Sequence, residues 1–209
     1  MASIVDGWVA PPLWTVPRLW PASRVFVICS GESIRRQIAD IHKIRGPVIA
    51  VKHGLLAYPS ADVLFLSGEK TPEIAAGLVP KFTGEYMIVR GRSDPRLDPR
   101  IHRIGRSKAH GTLSDDAHYV TGLDAGTSAI NLAYLFGARE IILLGYDMRG
   151  GHFVDKHPLP FPPLEHFRRH QICLPALNED ARRRGVRIVN CSEGSAVTAF
   201  EVRSLKEFV

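Results

Sequence analysis

Residues 126–147, GTSAINLAYLFGAREIILLGYD, decide the fold, because a loop, a helix, a turn and a buried strand follow one another there. Thr127 or Ser128 is expected to cap the helix, and Gly137 supplies the left-handed residue that commonly ends one. The apolar run 141–144 has no polar face, which is typical of a parallel strand covered on both sides.

Asp147 follows that strand directly, at the edge where open α/β sheets bind ligands. Apolar runs elsewhere alternate with helical patterns, and this alternation predicts an α/β fold with a doubly wound, mostly parallel sheet. The other expected strands are 24–30, 48–51, 61–66, 86–90 and 186–190, with a short edge piece at 101–104. The expected helices include 34–44, 164–184 and a final one at 203–208.

Length and composition predict a single domain, because 209 residues, 45% of them hydrophobic, suffice for one sizeable core. We divide the chain into an irregular arm rich in Trp and Pro, 1–23, and the domain proper, 24–209. The arm is expected to pack against another surface, and it is a candidate contact between copies of the chain in a homo-oligomer.

The sequence has no apolar run of about 18 residues and no signal peptide, so we expect a cytoplasmic protein without a membrane partner. The three cysteines show no paired spacing, which argues against a disulfide framework or a cysteine zinc site.

The formal net charge of +6 predicts affinity for phosphates or polyanions. Part of this charge lies in residues 90–108, which we expect to form a long loop near the functional edge of the sheet. A polyanionic acceptor such as DNA fits this segment, and a solvated basic face is the alternative.

A turn of small residues follows the first strand, where Ser30, Gly31, Glu32 and Ser33 precede the helix at 34–44. Unpaired N–H groups at a helix start attract phosphate, and a glycine lets a ligand approach the backbone closely. The alternative is a tight turn in which Ser33 caps the helix and no ligand binds.

The loop 150–158, GGHFVDKHP, carries the densest set of reactive side chains. His152, Asp155 and His157, with Asp147 upstream, are candidates for a general base, for metal ligands or for both. The alternative is that these side chains only tie a long lid to the sheet by hydrogen bonds.

Together these segments resemble an uncharacterised family of phage and prophage proteins. The motifs that carry the resemblance are SGES at 30–33, IAVK at 49–52, PSADVLF at 59–65, GTSAINLA at 126–133, IILLGYDM at 141–148 and GGHF at 150–153. That family is similar in turn to the 6-hydroxymethylpterin diphosphokinase-like domain and, more distantly, to the single-domain bacterial sialyltransferases, which use CMP-sialic acid. The resemblance covers residues 24–190 and implies a Rossmann-like domain.

The resemblance further implies that a nucleotide lies between the first loop and the turn at Gly126. The implied nucleotide-binding residues are Ser30, Gly31, Glu32, Ser33, Lys52, Gly126, Thr127 and Ser128. It also implies a general base in the late loop, at His157 or failing that His152, which deprotonates an acceptor hydroxyl. The diphosphokinase relatives need Mg²⁺ between phosphates, and Asp147 is then the candidate catalytic and metal-binding residue.

The resemblance therefore predicts a nucleotide-dependent transferase, foremost a sialyltransferase-like glycosyltransferase that uses a nucleotide-sugar donor and acts on DNA or a glycan. The alternatives are a diphosphokinase-like phosphoryl transfer enzyme and a non-catalytic, virion-associated binding module. The relatives commonly carry one asparagine in the first loop, in a Gly-Asn-Gly-Pro-Ser type pattern, and another after the second strand, whereas this chain has Ser-Gly-Glu-Ser at 30–33 and Lys52. The charges of Glu32 and Lys52 act on a phosphate in opposite directions. A changed donor, a different anion and lost catalysis are all consistent with this departure.

Overall fold

The chain folds into a nine-stranded sheet in which every neighbouring pair of strands is parallel. The computed structural model describes residues 4–5, 8–9, 12–68, 71–91, 98, 100–155 and 163–209. Its strands are β1 Ile4–Val5, β2 Trp8–Val9, β3 Arg24–Ile28, β4 Val48–Val51, β5 Val63–Ser67, β6 Tyr86–Arg90, β7 His102–Arg106, β8 Tyr119–Val120, β9 Glu140–Leu144, β10 Arg187–Asn190 and β11 Glu201–Val202.

The strand order is β11-β10-β9-β3-β4-β5-β6-β7-β8, while β1 and β2 form a separate antiparallel pair. The chain starts the sheet at β3, builds outward to β8, and then returns to the other side of β3 with β9. The doubly wound, Rossmann-like α/β fold that the sequence predicts is therefore confirmed, and its order reverses between β3 and β9.

Helices cover both faces of the sheet, so strands such as β4, β5 and β9 are buried along almost their whole length. The α-helices are α1 Ile34–Ile41, α2 Thr71–Leu78, α3 Ala125–Phe136, α4 Leu164–Gln171 and α5 Leu174–Arg183. Apolar side chains of α1 and α2 pack on one face, and those of α3 and α5 pack on the other.

Two expectations about helices are wrong. The expected helix 164–184 is two helices, α4 and α5, because Pro175 has no N–H to continue a helix and suits the first turn of a new one. The expected last helix is a single 3-10 turn, Leu205–Glu207, after β11. Within the segment 90–108, β7 lies where the short piece at 101–104 was expected, and its buried Ile104 joins the core beside β6.

The cap of α3 also differs from the expectation. Asp124 is the capping residue, and its carboxylate accepts a hydrogen bond from the N–H of Thr127 at 2.9 Å. Thr127 and Ser128 consequently lie inside the first turn. Sequence reasoning missed this because all three residue types cap helices well, and the buried start of α3 has no polar face to mark where it begins. Gly137 ends the helix with φ 107°, as expected.

Residues 12–23 of the arm pack on their own domain. The backbone N–H of Trp14 donates to the carbonyl of Arg103 at 2.7 Å, and the ring of Trp20 lies 4.4 Å from that of Phe136. The expected oligomer contact through the arm stays a prediction. Within the described ranges, no helix combines the length and the apolar character that a membrane span requires.

We predict that Gly137→Ala lowers the free energy of unfolding by about 1–2 kcal/mol, because a Cβ is disfavoured in the left-handed conformation. That Cβ would also stand 3.0 Å from Cα of Pro21. Gly77→Ala, at an exposed position of α2, is the matched control, since a Cβ there meets nothing within 4 Å and alanine favours helix by about 1 kcal/mol. Urea denaturation of both variants measures the difference; equal effects would contradict the assignment.

Candidate functional site

A cavity of about 230 Å³ opens at the carboxyl edge of the sheet, where the strand order reverses between β3 and β9. This is the place at which open α/β sheets bind ligands. The residues that line it are Cys29, Ser30, Gly31, Val51, Lys52, Asp124, Ala125, Gly126, Gly145, Tyr146, Asp147, Met148, Gly150, Gly151, His152, His166, Phe167 and His170.

The structure brings together only part of the predicted nucleotide-binding set. Ser30, Gly31, Lys52 and Gly126 line the cavity. The other members, Glu32, Ser33, Thr127 and Ser128, are not among the lining residues.

Gly31 is required by the packing of two strand ends. A Cβ at this position would stand 2.5 Å from Cγ of Asp147 and 2.6 Å from the carbonyl oxygen of Gly145. The N–H of Gly31 donates to that same carbonyl at 2.9 Å. The glycine therefore lets the chain after β3 touch the chain after β9, whether or not a ligand is bound.

Ser33 and Asp147 form a buried brace between the same two segments. The backbone N–H and the hydroxyl of Ser33 donate to the two carboxylate oxygens of Asp147 at 2.8 and 2.6 Å. Asp147 is only 3% exposed, and the Ser33 hydroxyl makes no cap to its own helix. The start of α1 thus holds a carboxylate supplied by the distant strand β9.

The hydroxyls of Thr127 and Ser128 are also used inside the fold. Thr127 Oγ1 donates to the Asp124 carboxylate and contacts the Tyr146 hydroxyl at 2.9 Å. Ser128 Oγ donates to the carbonyl oxygens of Thr121 and Asp124 at 2.8 and 3.0 Å. Their predicted ligand contacts would require these hydrogen bonds to break.

Arg90 holds the start of α3 by hydrogen bonds. Its guanidinium donates to the carbonyl oxygens of Gly122 and Asp124 and to the hydroxyl of Ser128. Burial, and then the nearby charge of Arg106, lower the pKa of Arg90 to about 10. This member of the basic segment therefore positions the site, while Arg92 and Arg96 lie outside the described residues.

Lys52 places a cation at the end of β4. This residue lines the cavity, and its backbone is left-handed with φ 52°. Burial and the neighbouring Arg90 lower the pKa of Lys52, although Asp124 acts in the opposite direction. Burial, followed by the charges of Asp124 and Asp147, raises the pKa of the Cys29 thiol, which argues against a thiolate nucleophile there.

Three described imidazoles line the cavity, at His152, His166 and His170. The rings of His166 and His170 lie 4.1 Å apart on α4. Burial lowers the pKa of His170. The charge of Asp124 raises it, while His166 and the nearby arginines lower it further. His157, the first candidate for the general base, lies outside the described residues.

Glu32, in the turn before α1, contacts the loop 150–158. A Cβ at Gly151 would stand 2.7 Å from Oε2 of Glu32, and the Glu32 carboxylate is 3.6 Å from Arg35. Arg35 also pairs with the exposed Asp155 of that loop. These contacts tie the described part of the loop to the start of α1.

The described surroundings of Asp147 do not fit a magnesium ion. Both of its carboxylate oxygens already accept hydrogen bonds from Ser33. Among the described residues, no group of three or more His, Cys, Asp or Glu side chains is arranged to hold a metal.

Sequence reasoning missed Asp124, Tyr146, His166 and His170 as lining residues. Asp124 precedes the helix start and is a residue type that caps, so this signal was present in the sequence. His166 and His170 are spaced four apart, which places them on one helix face. Whether that face meets solvent or a cavity depends on how α4 packs, which spacing alone does not specify.

Solved glycosyltransferases share this fold. The MAf glycosyltransferase from Magnetospirillum magneticum AMB-1 has a TM-score of 0.63 and 17% identity, over 94% of this chain and 36% of that chain. The sialyltransferase CST-II, in complex with a trisaccharide acceptor and CMP, has a TM-score of 0.55 and 12% identity over 87% and 86% of the two chains. CstII from Campylobacter jejuni, in complex with cytidine-5'-monophosphate, has a TM-score of 0.54 and 12% identity, over 88% of this chain and 86% of that chain.

This chain thus spans little more than a third of the MAf glycosyltransferase. At such identities the likeness establishes the Rossmann-like fold. No protein-family model and no curated protein matches the sequence significantly.

We predict that Ser33→Ala lowers the free energy of unfolding by about 1.5–3 kcal/mol, because the buried Asp147 carboxylate loses a charge-assisted hydrogen bond. Ser30→Ala is the matched control. Its hydroxyl lines the cavity and has no hydrogen bond to the described residues, so the expected change stays within about 0.5 kcal/mol. Chemical denaturation measures both, and a Ser33 variant as stable as the parent protein would show that this brace does not stabilise the fold.

Proposed function

We propose that this chain is a nucleotide-dependent, glycosyltransferase-like enzyme that binds a nucleotide-sugar donor in the cavity between β3 and β9. The observation that carries the proposal is the position of the cavity at the strand-order reversal, ringed by Ser30, Gly31, Lys52 and Gly126. The fold shared with glycosyltransferases of known structure supports it.

The donor class follows from the charge of the site and from the neighbours. Lys52 supplies a cation suited to a phosphate group. The CST-II and CstII structures contain CMP, which supports a cytidine nucleotide as the first candidate here. The specific proposal is a donor of the kind that sialyltransferases use. The proposed acceptor is DNA or a glycan. The phage origin stays a prediction from the sequence.

The proposed chemistry is a single displacement. An imidazole takes the proton of an acceptor hydroxyl, the hydroxyl oxygen forms a bond to the anomeric carbon, and the bond from that carbon to the nucleotide phosphate oxygen breaks. The electron pair leaves with the phosphate. His157, or failing that His152, is the proposed base; His170 borders the same cavity, and its lowered pKa keeps it neutral near pH 7.

A non-catalytic module that keeps the nucleotide fold is the second candidate. One observation favours it, since the hydroxyls of Ser33, Thr127 and Ser128 bind the fold instead of facing the cavity. Phosphoryl transfer of the diphosphokinase type is less favoured, because it needs magnesium and Asp147 is engaged by Ser33.

We predict that CMP or CDP raises the melting temperature in a screen that also contains UDP, GDP and ATP, each with and without magnesium. A ligand present at 100 times its Kd adds about 2.7 kcal/mol of stability, which amounts to several degrees for a chain of this size. A stabilising effect that does not depend on magnesium favours the glycosyltransferase proposal over phosphoryl transfer. Absence of any stabilising nucleotide would favour the non-catalytic module.

We predict that His157→Ala abolishes glycosyl transfer while nucleotide affinity changes by less than about twofold, because a general base acts mainly in the transition state. His152→Ala is the parallel test of the second candidate. His42→Ala, at the exposed end of α1, is the control and should change neither quantity. Calorimetry of nucleotide binding and a donor-turnover assay separate the roles; an equal loss of affinity and turnover would point to a ligand contact instead.

A further inference from the structure

Strained backbone is concentrated at the cavity. Within the described ranges, the non-glycine residues with a left-handed backbone are Ala22, Lys52 and Met148, at φ 57°, 52° and 49°. Lys52 and Met148 both line the cavity. Such a conformation is unfavourable for any residue with a Cβ and tends to persist at functional sites.

Lys52 also carries an unfavourable charge. Its pKa lies below the ordinary value of 10.5, first because of burial and then because of the cation Arg90, while Asp124 and Cys29 raise it. Between the lowered and the ordinary pKa, the unfolded chain binds the Lys52 proton more tightly, so the free energy of unfolding rises with pH across that window. At neutral pH the charged ammonium therefore destabilises the fold.

The ammonium makes no hydrogen bond or ion pair with a described residue, although the charge of Asp124 favours its charged form. Its Nζ lies 3.6 Å from the position of a Cβ at Gly68, just after β5. The carboxylates of the cavity are hydrogen-bonded elsewhere, Asp147 to Ser33 and Asp124 to Thr127. Backbone strain and desolvation thus act together on one cation at the cavity.

The two helix starts at the cavity are also occupied. Asp147 accepts from the N–H of Ser33 at the start of α1, and Asp124 accepts from the N–H of Thr127 at the start of α3. A helix start is the usual anion site after a glycine turn, but here each of these N–H groups already donates to a carboxylate of the chain itself. Lys52 is then the described lining side chain with a permanent positive charge for a phosphate.

We propose that the ammonium of Lys52 binds the phosphate group of the nucleotide donor, and that the chain retains the strain and desolvation of this residue for that contact. This inference rests on the proposed function, and it names the group of the donor that the cavity recognises. It implies that Lys52 distinguishes nucleotides from nucleosides, and that the unliganded protein gains stability when Lys52 is replaced by a residue that tolerates the left-handed backbone.

The test compares Lys52→Asn, Lys52→Met and Ala22→Gly in the full chain. Asparagine at residue 52 removes the charge and tolerates the left-handed backbone, whereas methionine removes only the charge. The control Ala22→Gly relieves comparable backbone strain at an exposed position outside the cavity. The probes are CMP, cytidine and inorganic pyrophosphate, measured by calorimetry and thermal melting.

We expect both Lys52 variants to lose at least about tenfold in affinity for CMP and pyrophosphate, while cytidine binding is unchanged. Without ligand, Lys52→Asn should melt about 2–4 °C higher than the parent protein, and Ala22→Gly should gain stability without any change in affinity.

Retention of CMP affinity in both Lys52 variants would overturn this inference and leave the proposed function intact. A Lys52→Asn protein that melts lower than the parent would overturn the claim of retained strain. If neither CMP nor pyrophosphate binds the parent protein, the inference and the proposed function both fail.

Discussion

The contact between the ends of β3 and β9 is the constraint on which the site depends. Gly31 touches Gly145 and Asp147 so closely that a Cβ has no room, and Ser33 closes the contact with two hydrogen bonds to the Asp147 carboxylate. The chain leaves β3 toward α1 on one face, and the helix α5 that leads into β10 covers the other. Because the two paths diverge from a shared anchor, the space above the anchor stays open as the cavity.

The strands were predictable because a buried parallel strand leaves a continuous apolar run. β4 and β6 lie at the residues that the pattern indicates, and Gly137 ends α3 as its position suggests. Helix starts were less predictable. Aspartate, serine and threonine cap helices comparably well. Only the three-dimensional path of the chain therefore determines that Asp124, and not Thr127, is the capping residue of α3. The shortest strands of the nine-stranded sheet, β8 and β11, have two residues each and left no periodic signal.

The candidate site was predictable in its place and only partly in its chemistry. The topology brings Ser30, Lys52 and Gly126 to one edge, because parallel strands present their carboxyl ends together. The direction in which a hydroxyl points is a different matter, since it depends on partners far away in sequence. Ser33 meets Asp147, 114 residues along the chain, and no local pattern indicates that pairing.

The distribution of charge around the cavity then limits what the site can bind. In a typical glycine-turn site the free N–H groups and dipole of a helix start hold the phosphate, and a side-chain cation is an addition. Here N–H groups at the starts of α1 and α3 donate to Asp147 and Asp124, so both helix starts bind carboxylates of the chain itself. We propose that anion recognition in this cavity falls to Lys52 at the end of β4 and to the imidazoles of α4. A neutral amide at residue 52 would leave this cavity without a permanent positive charge among its described lining side chains, which gives a physical reason for a lysine at a position that is costly for the fold.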